Sequence, residues 1–487
     1  MYKKLCMFLM VVCGSTKNIC SLPGTLDTTF NAGGVQPGTV STTIDNSLVN
    51  NQGFSVAIQQ DGKIVVAGSA TISGVDRFAV ARFNTDGSLD TTFNATGSQP
   101  GTVTTTIENT AGPCAAQSVA IQQDGKIVVA GYAEISGVNR FAVARFNTDG
   151  TLDTTFGGPT QPGTVATTID NIVQENRAQS VTIQQDGKIV AAGFAAVLGA
   201  SRFAVARFNT NGTLDTTFNT SGVQPGTVTT TIANNPFSVG LSVAMQQDGK
   251  IVVAGYVFIG TEPNFAVARF NADGTLDTTF GGPAQPGTVT TTIANVPFAL
   301  GSSVAIQQDG KIVVAGSALI GSDGRFAVAR FNANGTLDTT FNASGVQPGT
   351  VATTIENTAL SSIAQSVAVQ IRDGKIVVAG FANISGADRF AVARFNTNGT
   401  LDTTFNASGV QPGTVSTTID NNLANNQGFS VAIQQDSKIV VAGTAEIGGV
   451  NRFAVARFLG IGTGVVTNNL CALRLIEKYG PRLAARA

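Results

Sequence analysis

SVAIQQDGKIVVAG, residues 118–131, returns unchanged at residues 303–316 and, intact or slightly altered, in five further places. Two short runs rich in β-branched residues, SVAIQQ and KIVVAG, meet at Asp124-Gly125. Glycine supplies the positive φ that a tight turn needs, so the stretch reads as two antiparallel strands joined in a hairpin. The lysine after the turn indexes the copies: Lys63, Lys126, Lys188, Lys250, Lys311, Lys375 and Lys438. Their spacings are 63, 62, 62, 61, 64 and 63 residues, so the chain is periodic. In the last copy Ser437 stands where the others have glycine, and its turn is expected to be strained or rearranged.

Two more runs complete the unit. In the second repeat, Ser118–Gln123 (strand A) and Lys126–Tyr132 (strand B) are followed by a variable loop and then RFAVARF, Arg140–Phe146 (strand C). A long connection containing NTDGTLDTTF leads to GTVATTI, Gly163–Ile169 (strand D). Four strands in about 62 residues is the size of a propeller blade; a β-helix coil is far shorter, and a helical solenoid would show a 3.6-residue apolar period that is absent. The sequence predicts an all-β fold: a seven-bladed β-propeller of four-stranded blades. The chain opens with LDTTF (26–30) and a D-type run, GTVSTTI (38–44), before any A strand, and its repeats end on a C strand, Phe453–Phe458. The N-terminal D strand is expected to complete blade seven, burying Val40 and Ile44 and removing the exposed sheet edges.

Only 12% of the 487 residues are charged while 43% are apolar, which suits a large stacked β core and excludes a disordered chain. Of the 29 basic residues, 20 sit at repeat-locked positions: the lysines after the turn, the FAVARF arginines and six in the RF pair before them. Charge spread once per repeat offers no clustered footprint, so no nucleic-acid partner is expected. There is no histidine and no CxxC or Cys/His cluster, which excludes Ser-His-Asp and Cys-His nucleophiles and argues against zinc.

The N-terminus reads Met1 to Lys4, an apolar run Leu5 to Val12, then small and polar residues from Gly14. This is the pattern of a secretory signal peptide, assigned to residues 1–20 with the cleavage point open; the run is too short to cross a bilayer. Neither Cys13, after Val12, nor Cys20, after Ile19, follows the small residue that lipid attachment favours. Cys114 and Cys471 remain for the mature domain, either as a pair or as two thiols. Beyond residue 459 the pattern stops, and 460–487 reads as a tail with a short helix over LCALRLIEKYG.

SVAIQQDGKIVVAG followed by FAVARFNTDGTLDTTF resembles the delta-60 repeat of bacterial β-propellers, over residues 24–459. The resemblance implies a propeller on exported or surface proteins, with no shared catalytic activity. The fourth unit departs from it with Asn264 in place of arginine, and the seventh runs Phe458-Leu459-Gly460 instead of into NxDGxLDTTF.

N-x-D-G-x-x-D, as in Asn147, Asp149, Gly150 and Asp153, is similar to the middle of a calcium loop. Arg145 occupies the place of that loop's first carboxylate, and Asn211, Asn334 and Asn398 replace the second acid in other copies. A structural turn is therefore expected, with Arg145 pairing Asp153 in a fork-like contact. The phenylalanines of LDTTF and FAVARF account for 21 of 29 and are assigned to the core. Loop acids Glu134, Glu175, Glu262 and Glu446 show no spacing that selects a catalytic pair. No catalytic, cofactor-binding or metal-binding residue is assigned.

Variation is the better guide to function. D–A loops (DNSLVNNQG, ENTAGPCAA, ANNPFSVGL) and B–C loops (AEISGVN, AAVLGAS, VFIGTEPN) differ between repeats and emerge on one face of a propeller. The residue after VAG or AAG also varies: Ser69, Tyr132, Phe194, Tyr256, Ser317, Phe381 and Thr444. Its four aromatics, Tyr132, Phe194, Tyr256 and Phe381, suit either ligand contact or inter-blade packing. The expected function is an exported, monomeric binding or structural module that meets a protein or glycan through the variable face. The alternative is a propeller hydrolase or lyase acting on an extracellular carbohydrate.

Overall fold

Each repeat folds as its alternation requires, and the copies stand as seven four-stranded antiparallel sheets in the order A-B-C-D. A computed structural model describes residues 22–461 apart from 236 and 359. The expected signal peptide, Cys471 and the tail helix lie outside those residues. Blade one consists of Asn51–Ile58, Ile64–Ile72, Val75–Phe83 and Thr102–Thr105. The phenylalanines of LDTTF and FAVARF are buried throughout, filling the layers between neighbouring sheets.

The ring closes as the out-of-phase ends require. Thr39–Thr42 pairs antiparallel with the last C strand, Val450–Phe458, Thr39 opposite Ala456 and Thr42 opposite Phe453. The substitution extends beyond the strand: Leu26 bridges Phe458 as Leu89 bridges Phe83 within blade one. Asp27 N–H donates to Arg457 O at 2.8 Å, as Asp90 N–H does to Arg82 O. Residues 22–44 thus supply the turn and the D strand that the seventh repeat lacks. Ile44 is fully buried, contributing about 1.5–3 kcal/mol, whereas Val40, expected to be buried too, is only partly covered.

Strand A forms one edge of every sheet, and those edges are joined around the ring by side chains. Ser55 Oγ accepts the Val119 N–H, Ser118 that of Val181, and so on to Ser430 and Val56, each at 3.1–3.2 Å. Every repeat keeps Ser-Val at this point because the serine supplies the acceptor and the valine the edge N–H.

Three local details correct the sequence reading. The B–C segments taken as loops are mostly strand: Ile64–Ile72 and Val75–Phe83 are joined by Ser73-Gly74 alone, with φ of 51° and 82°. That sign pattern is the primed turn whose twist matches a two-residue hairpin. At the A–B turn only Gly125 is left-handed; Gln122 N–H bonds Lys126 O, so three residues bridge the strands rather than two. Strand D is shorter than expected, Thr164–Thr167 in blade two, because Asp170 and Asn171 both turn left-handed soon after it.

Candidate functional site

The antiparallel order places A–B turns and C–D connections on one face and D–A and B–C connections on the other. On the first face the repeated charges consume one another. Arg145 Nε lies 2.7 Å from Asp153 Oδ2, and Lys126 Nζ reaches the same oxygen at 2.8 Å. Arg145 makes no fork with Asp153, as the sequence had suggested, because its Nη1 donates across the blade boundary to Thr210 O. Its guanidinium also lies 4.6 Å from the Phe156 ring centroid, and all seven repeats have this stacked arginine. Blade seven forms the set with Asp27 from the N-terminus: Arg457 at 2.9 Å and Lys438 at 3.3 Å.

Burial works to raise these carboxyls and is outweighed. Thr92, Lys63 and Arg82 hold Asp90 at about 2, and Lys375, Thr404 and Arg394 do the same for Asp402. The other acid of the calcium-like motif, Asp149, accepts the Thr151 N–H at 3.0 Å and hydroxyl at 2.7 Å, closing a turn. Cavities on this face, such as those of about 470 and 530 Å³, are copies of one inter-blade groove lined by the same Gln, Asp, Lys and Arg positions. A wider one, about 700 Å³ between blades five and six, borders Gln370-Ile371-Arg372-Asp373-Gly374, where the A–B turn has one extra residue.

The opposite face is divided between frame and free surface. The D–A loops begin with a left-handed pair, Asp45 and Asn46 after the first D strand, and Asp45 Oδ2 accepts the Thr104 hydroxyl of the next blade at 2.6 Å. Asp170 and Thr229 repeat this at 2.7 Å, so the loop's opening residues are an inter-blade clamp rather than a variable surface. What remains free carries exposed apolar side chains. Eight of the sixteen exposed large apolar residues among the described residues lie in D–A and B–C connections, among them Leu198, Phe237, Phe298 and Leu423, and Ile259 and Leu319 stand at the ends of B strands on the same side. Of the acids named from the sequence, Glu134, Glu175, Glu262 and Glu446 stand in four different blades, and Glu175 pairs with Arg177 at 2.7 Å.

The four aromatics after VAG or AAG are half-buried, and two of them meet the next blade while Tyr256 packs on Phe258 of its own strand at 5.8 Å. Tyr132 lies under the Arg177 guanidinium at 4.4 Å, and Phe381 meets the Phe429 ring at 6.3 Å. Burial pushes the Tyr132 and Tyr256 phenols up, against the pull of Arg177 on the former. In blade seven the same position is Thr444, and there a cavity of about 360 Å³ opens between blades seven and one. Strand A of blade one contributes Gln52 and Phe54; blade seven contributes Asn425, Gln427, Phe429, Thr444, Glu446 and Asn451. Phe54 and Phe429 are the extra residues of matching β-bulges, and their rings meet at 5.6 Å. The sequence reading passed over this cleft. Its signal is the stretch NNQGFSVAI, which occurs only at 50–58 and 425–433, in the two blades that closure makes neighbours.

The family profile described as "Domain of unknown function (DUF5122) beta-propeller" matches residues 59–93, 122–156, 184–218, 246–280, 307–341, 372–405 and 434–463, once in each blade. The chain belongs to a β-propeller repeat family. In six blades the match runs from the A–B turn through strand C to the phenylalanine of LDTTF, the part that carries the lysine, arginine and aspartate of the repeated charge set. Among curated proteins, none is matched. Among solved structures, a polysaccharide lyase, the PL25 ulvan lyase, is 13% identical with a TM-score of 0.44, covering 91% of this chain and 94% of its own. A catalytically inactive virginiamycin B lyase from Staphylococcus aureus is 11% identical with a TM-score of 0.43, covering 86% and 98%. Drosophila Semaphorin 2a is 8% identical with a TM-score of 0.46, covering 86% and 76%. Likeness at this level carries nothing about activity. No helix among the described residues is long and apolar enough to cross a membrane.

Proposed function

We propose that this is an exported or cell-surface propeller of the delta-60 type that binds a protein or glycan through its D–A and B–C face. The observation that supports this is the division of labour between faces. Repeated charges on one side are spent on one another and on the neighbouring blade, while the other side carries most of the exposed large apolar residues, and exposed apolar side chains are what a binding surface needs. Tyr132, Phe194, Tyr256 and Phe381 take part through the portions of their rings left uncovered, with inter-blade packing as their other role.

The test compares the intact propeller with a version whose D–A and B–C connections carry one repeated consensus, by pull-down and glycan array. Binding lost only in the consensus form supports the reading; equal binding by both refutes the chosen face. A glycoside hydrolase needs a second acid convergent with the first, and Glu446 is the one carboxylate among the cleft-lining residues. Turnover of a saccharide would move the protein into that class. Fusion of residues 1–24 to a reporter tests export, which retention in the cytoplasm would contradict.

A further inference from the structure

We infer that the cleft between blades seven and one is a subsite for a neutral pyranose unit. This rests on the binding role proposed above and assigns that role a place and a ligand chemistry. The first argument is geometric. At the position of Thr444, four other blades carry a large ring and two carry serine, and in blades two and six the ring occupies the space against the next A strand. Tyr132 does so beneath Arg177, the counterpart of Gln52, and Phe381 against Phe429, the counterpart of Phe54. With threonine instead, the same space stays open as the cavity of about 360 Å³, within the usual range of small-ligand sites.

The second argument is chemical. Thr444 lines the cleft and is 8% exposed, and its hydroxyl is buried with no hydrogen-bond partner. Ser317, at the same position in blade five, instead accepts the Ala364 N–H of its neighbour at 3.0 Å. A buried hydroxyl left unpaired is costly, and a ligand that pairs it recovers that cost.

The rest of the lining selects among ligands. Four amides, Gln52, Asn425, Gln427 and Asn451, suit a compound rich in hydroxyls that both donate and accept. Several of their donors are already held: Gln427 Nε2 by Asp388 at 2.8 Å, Asn451 Nδ2 by Asn50 at 2.9 Å and Asn425 Nδ2 by Glu446 at 3.3 Å. Those bonds pre-orient the side chains. Phe54 and Phe429, tilted 60° to one another, offer the apolar faces on which a sugar ring's C–H side lies. No lysine or arginine lines the cleft while Glu446 does, which disfavours phosphate, sulfate and uronate.

The experiment is a titration of the whole protein with neutral mono- and oligosaccharides, with glucuronate and choline as charged controls, repeated on Thr444→Phe and Thr444→Val. Thr444→Phe installs the ring that blades three and six already carry, so the fold and its unfolding midpoint should be kept while saccharide binding falls below detection. Thr444→Val keeps the shape without the hydroxyl, and affinity should fall about fivefold. Saccharide binding that Thr444→Phe leaves intact, preference for glucuronate or choline, or no saccharide binding at all overturns the inference. Partner capture that is lost in the consensus-loop protein but untouched by Thr444→Phe would leave the binding face standing and remove this subsite. If Thr444→Phe fails to fold, the Thr444→Val series decides.

Discussion

Ser430 Oγ accepts a hydrogen bond from the Val56 backbone N–H at 3.1 Å, across the seam between the last blade and the first. The same bond links every other adjacent pair of A strands, Val304 N–H to Ser242 at 3.1 Å for example. A covalent seam and a non-covalent one are therefore held identically at the inner edge. Ser430→Ala should cost about 1–3 kcal/mol by leaving the Val56 N–H unpaired, and Ser242→Ala should cost the same. Urea unfolding of the two variants checks this; a neutral Ser430→Ala beside a costly Ser242→Ala would mean that the seam is looser than the rest of the ring.

Asp27 gives the sharper test of closure. It takes Arg457 at 2.9 Å and Lys438 at 3.3 Å from blade seven, and Arg457 is buried. Asp27→Asn leaves that guanidinium without its counter-charge and should destabilise by about 3–5 kcal/mol, as Asp153→Asn should in blade two. The comparison is again by denaturant. An Asp27→Asn variant as stable as the parent would show that residues 22–44 do not hold blade seven.

How far the chain could be read beforehand follows from what repetition reveals. Blade number and closure were legible because strand A, strand B and FAVARF recur at one spacing and because the D-type run of 38–44 precedes any A strand. Arg145 with Asp153 was legible for the same reason. The primed turn at Ser73-Gly74 was not, since two left-handed residues between strands look like the middle of a longer loop. The cleft was hidden differently: Thr444 and Gln52 stand at opposite ends of the chain, and only the closed ring sets them side by side. The insertion at Ile371 had left its trace in the spacing of 64 between Lys311 and Lys375.

Acid should act on the inter-blade network. Asp90 and Asp402 titrate at about 2 in the fold against 3.8 ordinarily, because Thr, Lys and Arg partners overcome the opposing effect of burial. A carboxyl lowered by folding stabilises the native state above its unfolded value, and that stability is lost as pH falls through the folded one. The unfolding midpoint should therefore drop steeply between about pH 4 and pH 2. With no histidine in the chain it should be nearly flat between about pH 5 and pH 8. A midpoint that declines from about pH 6 downward would contradict this assignment.

Chelation should leave the same midpoint unmoved. Asp149 is occupied by Thr151, and Asp153 by Arg145 and Lys126, so the calcium-like motif has no uncommitted carboxylate pair. Melting curves with and without EDTA test it, and a fall of many degrees with chelator would show that metal holds these turns.

Ser437 is where the repeat departs from its own rule at a measurable cost. Its φ is 68°, in the region its glycine counterparts occupy, yet the turn keeps its bonds: Ser437 N–H to Gln434 O at 2.8 Å and Gln434 N–H to Lys438 O at 2.9 Å. The strain is therefore local to one residue, since a side chain in the left-handed region costs about 1–2 kcal/mol. Ser437→Gly should recover roughly half of that or more, the greater freedom of glycine in the unfolded chain offsetting the remainder. The converse change belongs in blade five, where a Cβ on Gly310 would meet only Ala333 at 3.7 Å, so steric conflict does not mask the backbone effect. Gly310→Ser should destabilise by about the amount that Ser437→Gly gains. Equilibrium unfolding of both variants measures the pair, and a Ser437→Gly protein less stable than the parent would mean that the serine side chain repays its backbone strain.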